Sequence, residues 1–276
     1  MIEDVRSVGS LLAARTWLYE LFHRITGGEP TAELLEVLAS PAMLDALDEY
    51  ASESQEIDAF ARRCRELACL SGEAQVLDRL DDLRSEYNRL LTGMGGMGIA
   101  LWQSAHEGDE PSYFGRQTLR VRSKFAEHGL RVKRSGSIPD DGVALMTGFL
   151  SRLSREDFAL YIIGDTCELV DRLAEEALFV SEHLSNWVGE AVRAAASGEE
   201  GTCVLALRAM AEFFNLDAAF AANAREWMCE MDAENSNVAD ALTAEDVARF
   251  EAIMRERDKL VALHMPFSED AELVAV

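Results

Sequence analysis

The sequence predicts an all-α protein, a bundle of roughly nine to eleven helices of ordinary length with a loop-helix-loop hinge region in its middle. Three observations carry this. Apolar residues recur at three- and four-residue steps along most of the chain, alternating strand patterns are nearly absent, and 49% of the 276 residues are apolar, enough for a sizeable core.

The elements follow in order. Val8, Leu11, Leu12, Leu18, Leu21, Phe22 and Ile25 form the stripe of a first helix, stopped by Gly27-Gly28. Ser40-Pro41 reads as an N-cap with a first-turn proline, opening a short helix through Leu47. Ile57, Phe60, Cys64 and Leu67 mark a third helix. Val76, Leu80, Leu83, Tyr87 and Leu90 or Leu91 mark the next, over about Glu73 to Leu91. Residues 93–115 break the pattern with six glycines and the aromatics Trp102, Tyr113 and Phe114. Connections this long are functional or disordered more often than not. A helix over Arg116–His128 ends at Gly129, and a second loop covers Arg131–Pro139. Asp140 or Asp141 is placed to cap the helix carrying Val143, Met146, Phe149, Leu150 and Leu153. Ser154-Arg155-Glu156-Asp157 reads as a capping box for a long helix towards His183, and Thr243-Ala244-Glu245-Asp246 as another. Further helices are expected near Ser185–Ala196, Thr202–Cys229 and Ala244–His264, and a frayed acidic tail from Pro266. The organisation expected is an N-terminal helical half (1–92), the hinge region (93–139), a C-terminal helical half (140–231) and a helical extension with tail (232–276).

The net charge of −24 argues against sequence-independent nucleic-acid binding and against anionic lipid surfaces. Apolar runs fall short of the roughly 18–20 residues of a membrane span, and the acidic start Met1-Ile2-Glu3-Asp4 is unlike a secretory leader. Five widely spaced cysteines, Cys64, Cys69, Cys167, Cys203 and Cys229, give no disulfide framework. A reducing, cytoplasmic setting is the expectation. Residues 116–134 run the other way. Arg116, Arg120, Arg122, Lys124, Arg131, Lys133 and Arg134 face only Glu127, a local charge of +6. This stretch either neutralises acidic neighbours within the fold or offers a patch, with Arg116, Arg120 and Arg122, to an acidic partner or a nucleotide phosphate.

Catalytic and cofactor signals are missing. Gly93-Met94-Gly95-Gly96-Met97-Gly98 satisfies GxGxxG but follows a helix, not a strand, and reads as a flexible helix end. None of His23, His106, His128, His183 and His264 has metal-ligand spacing; all five read as surface or half-buried residues. Ser104 precedes His106 by two residues without a third triad member. Asp81-Asp82, Glu175-Glu176 and Glu199-Glu200 are sequence neighbours, so they read as solvated surface. Asp140-Asp141 admits two roles, a helix cap and an exposed anionic site beside the aromatic loop. No catalytic residue, cofactor or metal is assigned.

Residues 83–153 carry a family resemblance. Glu86-Tyr87-Asn88-Arg89-Leu90-Leu91-Thr92-Gly93 resembles the E-Y-x-x-L-F-x-G helix end of the TorD/DmsD chaperones of exported molybdenum enzymes. Leu101-Trp102-Gln103-Ser104 resembles the P-[WY]-x-S loop, Gly115 to Arg122 the G-x-x-T-L-x-x-R stretch, and Pro139-Asp140-Asp141-Gly142 the P-x-D-H motif. Arg15 to Phe22 is similar to the first helix, R-x-x-x-Y-x-x-[LF]-F. His183-Leu184-Ser185-Asn186-Trp187 resembles H-L-x-x-W, and Ala211 to Asp217 the closing helix. Gly142 stands where the family has His, Ile138 where it has an acid, and Leu91 where it has Phe.

The resemblance implies a TorD-like bundle and a binding protein rather than an enzyme. Its partner would be a molybdopterin oxidoreductase precursor, held through its twin-arginine signal peptide or as the apo-enzyme until the cofactor is inserted before export. An apolar groove with carboxylates at one end meets that need. Tyr87, Leu90, Leu91, Trp102 and Phe114 are expected as its wall, with Ser104 in the loop, Met94 and Met97 as adaptable contacts, and Glu86, Asp140 and Asp141 facing the arginines. Tyr87 also fits ordinary core packing. On this reading Trp102→Ala and Asp141→Ala weaken binding without disturbing the fold. A nucleotide-linked regulator and a stable assembly subunit of a reductase complex are the alternatives, and either a monomer or a homodimer fits.

Overall fold

The computed structural model describes residues 5–93, 98–107, 115–134, 136, 138–233 and 242–276. It is almost entirely helical. The order is α1 (Val5–Gly27), α2 (Ala32–Leu38), α3 (Pro41–Ala51), α4 (Gln55–Ala68), α5 (Glu73–Leu90), α6 (Arg116–Glu127), α7 (Val143–Ile163), α8 (Thr166–Val180), α9 (Val188–Ala195), α10 (Thr202–Ala233) and α11 (Ala244–Val261). A single π-helical turn, Ser181–Ser185, continues α8. Among the described residues two short strands, β1 (Leu130–Val132) and β2 (Leu273–Ala275), pair antiparallel with Arg131 opposite Val274.

Local chemistry sets most boundaries. Ser40 accepts a hydrogen bond from the Met43 N–H with Pro41 in the first turn, and Ser54 does the same for Ile57 at α4. The capping box at Thr243 and Asp246 forms as expected. The second expected box does not. The helix from Val143 runs unbroken to Ile163, with Ser154 and Asp157 fully buried inside it. It stops at Gly164, whose φ of 75° suits a residue without Cβ, and Asp165 then caps α8.

Packing joins distant parts of the chain. α1 lies along α7, α10 packs against α8 and α4, α3 against α4, and α11 against α1. One apolar core runs from Trp17 and Phe22 through Leu47, Phe60, Phe149 and Phe213. The rings of Tyr19 and Tyr50 meet Phe213 edge-on, with centroids 4.9 and 5.2 Å apart. Cys64, Cys69, Cys167 and Cys203 are free thiols.

The acidic tail is folded, not frayed. β2 completes a ladder with β1, inside what reads locally as a loop. Lys133 pairs with Glu272, and Arg134 with Glu269 and Asp270. Arg24 donates to the carbonyls of Val261 and Leu263, tying the end of α11 to α1. The buried Arg257 of α11 donates to the Thr16 carbonyl, 3.1 Å, and to the Ser151 hydroxyl, 2.6 Å. Much of the basic 116–134 segment is thus neutralised within the fold, since Lys124 also pairs with Glu127 and Glu175.

The deepest polar feature ties four helices together. Arg15 of α1 is wholly buried and donates to Asp217 of α10, Asp157 of α7 and Glu176 of α8 at 2.5, 3.1 and 2.8 Å. The Tyr19 hydroxyl, one turn on, donates to Asp217 at 2.5 Å, and Arg172 donates to Asp157 at 2.8 Å. Glu176 is therefore no surface residue, as its place beside Glu175 suggests; its partner lies 161 residues away. Burial, then the adjacent Asp157, push the Glu176 carboxyl well above the usual range. Its Oε1 finds no donor among the described residues, and a protonated Glu176 supplies its own. Two guanidiniums then balance two carboxylates.

Arg15→Met should cost about 3–5 kcal/mol in urea unfolding, because it strands buried carboxylates. The raised Glu176 pKa means that the native state holds the proton more tightly. Its contribution to stability is complete below the ordinary carboxylate range and is lost as pH rises through the folded value. Glu176→Gln, which mimics the protonated form, should remove that slope while keeping wild-type stability or better at neutral pH. Stability of the two proteins measured from acid to neutral pH checks this.

Candidate functional site

The motif residues of the hinge region converge on one junction between the end of α5, the loop at 98–107, the start of α6 and the start of α7. The loop is fastened by backbone bonds: Ile99 N–H to the Leu90 carbonyl (2.6 Å), Gln103 N–H to Asp141 (3.0 Å) and Val143 N–H to Leu101 (2.8 Å). Trp102 forms a bridge with Gly142.

Asp141 is the hub. It is fully buried, and its carboxylate accepts from the Ser104 N–H at 2.7 Å and from the Thr118 hydroxyl at 2.9 Å. Thr118 Oγ1 in turn accepts from the Gly115 N–H at 3.1 Å, closing the start of α6. Asp140 is 2% exposed and holds Arg122. Neither aspartate plays either role expected of it. The residue preceding α7 is Gly142, with no side-chain cap, and neither carboxylate is an exposed anionic site. Glu86 is committed as well. It sits at the N-terminus of α10, accepting from the Cys203 N–H at 2.7 Å and from the amides of Thr202 and Val204. Anions are stabilised at such helix ends.

The expected apolar wall divides. Tyr87 and Leu90 are core residues, and burial pushes the Tyr87 hydroxyl up to about 12. Leu91, Leu101 and Trp102 are half-buried. Phe114, Met94 and Met97 lie outside the described residues. Arg116 and Arg120 are exposed on α6, whereas Arg122 is spent on Asp140, so the three do not form an open patch together.

Sequence reasoning missed a second set of residues that holds the loop from the other side. Gln103 is 1% exposed. Its amide N–H donates to the Glu182 carbonyl at 2.9 Å and to Glu107 at 3.3 Å, which fixes its oxygen towards His183 Nδ1, 2.8 Å away. Nδ1 therefore carries the proton. Burial, aided by Arg120 and opposed by Glu182, holds the His183 pKa below the usual histidine value. The Trp187 indole N–H donates to the His183 carbonyl at 2.7 Å, and His106 stacks on Trp187 with centroids 4.6 Å apart. His183 lies in the π-helical turn, a distortion frequent at functional sites. His23 is also buried, against the Ala144 carbonyl, so two histidines are interior rather than surface or half-buried residues. The available signal was the His183–Trp187 motif itself.

The junction holds no group of three or more His, Cys, Asp or Glu side chains able to bind a metal, among the described residues. No helix among them is long and apolar enough to cross a membrane. The arrangement presents a half-buried tryptophan on a frame fastened by buried hydrogen bonds. The model of the nitrate reductase delta subunit family matches residues 29–193. The chain belongs to this family. Its members are maturation chaperones of redox enzymes, not catalysts, in agreement with the TorD/DmsD resemblance. The matched span covers the whole junction, including the π-helical turn, whereas Arg15 and Asp217 fall on either side of it. No curated protein and no solved structure matches the chain.

Asp141→Ala should act on the fold first. It removes the acceptor of a buried N–H and a buried hydroxyl, a cost of about 1–3 kcal/mol for each group left unsatisfied. A urea midpoint well below that of wild type is expected, and an unchanged midpoint would contradict the hub role.

Proposed function

We propose that this delta-subunit-family chaperone binds the precursor of a molybdopterin oxidoreductase, through its twin-arginine signal peptide or its apo form, and supports cofactor insertion before export. The observation that carries this is the half-buried Trp102 on a loop that Asp141 and Gln103 fasten. A signal peptide brings an apolar stretch and an arginine pair. Trp102, Leu91 and Leu101 offer apolar surface to the first. The arginines need carboxylates that are not already buried, so Glu86, Asp140 and Asp141 give way to Glu107 and Glu182, both exposed and both tied to Gln103 beside Trp102.

The family's description as a subunit also favours a longer-lived association with the reductase. Persistence of the complex after cofactor loading would support that reading over a transient chaperone.

Titration calorimetry with a twin-arginine peptide of a molybdenum reductase precursor tests the proposal. Trp102→Ala should weaken binding by about tenfold or more, the ~1.4 kcal/mol or more of an aromatic anchor. Glu107→Gln with Glu182→Gln should erase the preference for arginine over lysine. Wild-type affinity in both variants would withdraw this surface, and no binding of peptide or apo-enzyme would withdraw the function.

A further inference from the structure

A mostly apolar groove lies between α1, α3 and α11, away from the junction, with a volume of about 360 Å³. Alanines make its walls, Ala13 and Ala14 from α1, Ala42 and Ala46 from α3, and Ala252 from α11. Small side chains on three adjoining helices leave room that larger ones would fill. The third wall is firmly held, since Arg257 and Arg24 tie α11 to α1.

Two features of this groove are not satisfied by hydrogen bonds or close ion pairs among the described residues. Trp17 lines it and is 2% exposed, yet its indole Nε1–H has no hydrogen-bond partner among the described residues. A buried donor without an acceptor costs about 1–3 kcal/mol, and a ligand oxygen that displaced the side chains covering it would recover that. Along the rim, Asp45 and Glu49 stand one helical turn apart on α3, both exposed, with no ion-pair partner within 4 Å among the described residues, whereas Asp48 between them is paired with Arg65. Like charges at this spacing repel. Glu256 on α11 is satisfied by Lys259, and Arg249, the groove's one cationic lining residue, offsets part of the charge of Glu49, which leaves a net surplus of rim carboxylate.

An apolar floor, an unmet N–H and a surplus of carboxylates define the ligand by complementarity. We propose that the α1–α3–α11 groove is a second anchor for a partner polypeptide, taking two or three small apolar side chains of a cationic segment. A peptide carbonyl or hydroxyl accepts from Trp17, and a basic residue lies against Asp45 and Glu49. The volume is at the small end of ligand pockets, about 300–1,000 Å³, which suits a few anchoring side chains rather than a whole helix. This rests on the reading that the chain holds a precursor polypeptide, but it places the contact away from Trp102.

The test uses the full chain and a fluorescein-labelled peptide with an arginine pair followed by an alanine- and leucine-rich stretch. A version with glutamine for both arginines is the control. Ala252→Trp fills the groove from an exposed position, and Asp45→Lys with Glu49→Lys reverses its rim; both sites tolerate the change because they face solvent. Each variant should lose about tenfold or more in affinity while keeping the wild-type urea midpoint. The rim reversal should abolish the preference for the arginine peptide over the glutamine one. A photoreactive benzoylphenylalanine at position 252 should cross-link to the apolar stretch. Wild-type affinity in both groove variants, with binding lost in Trp102→Ala, would overturn the groove and leave the proposed function standing. Binding of the apo-enzyme but of neither peptide would overturn the groove and restrict the function to the mature domain.

Discussion

The bundle turns on one buried guanidinium. Arg15 reaches three carboxylates on three other helices, and Tyr19 adds its hydroxyl to the same Asp217. Charges taken from water are costly unless every lone pair and proton has a partner. That cost makes the cluster selective. A slip of α1 against α7, α8 or α10 would leave an acid or the arginine without its partner in an apolar interior, which penalises other registers. Apolar packing around Phe213 supplies the bulk of the stability; the cluster specifies the arrangement.

The same logic explains what the family motifs do here. The first-helix motif supplies Arg15 and Tyr19, and the closing-helix motif supplies Asp217; they meet directly. The loop motif supplies Ser104, the α6 motif Thr118, and the motif before α7 Asp141; these also meet directly. Glu86 fastens α5 to α10. Residues that read as a recognition surface in sequence are largely fasteners, and the half-buried Trp102 lies on the loop that they hold.

How much of this was legible follows from the range of each interaction. Caps at Ser40 and Thr243 and the stops at Gly27 and Gly129 are local, and the sequence shows them. The false box at Ser154 failed because Asp157 answers to Arg15, 142 residues away, not to the start of a helix. β1 was invisible as a strand. Three residues carry no periodicity, and the partner strand closes the far end of the chain. Asp141 reads in sequence as a helix cap or an exposed carboxylate, and its burial depends on Thr118 and Ser104, which no local pattern connects to it. Of the groove between α1, α3 and α11 the sequence shows only scattered alanines.

The central claim is that the motif residues hold the scaffold and that the partner meets the surfaces they position. Hydrogen exchange of the full chain, with and without an apo-molybdoenzyme precursor, tests this most directly. Added protection should appear at the loop around Trp102 and along the faces of α3 and α11, while the amides around Thr118 and Asp141 stay as slow as in the free protein. Strong new protection confined to those buried amides, with the loop and the groove unchanged, would mean that the junction opens to bind, and would contradict the account.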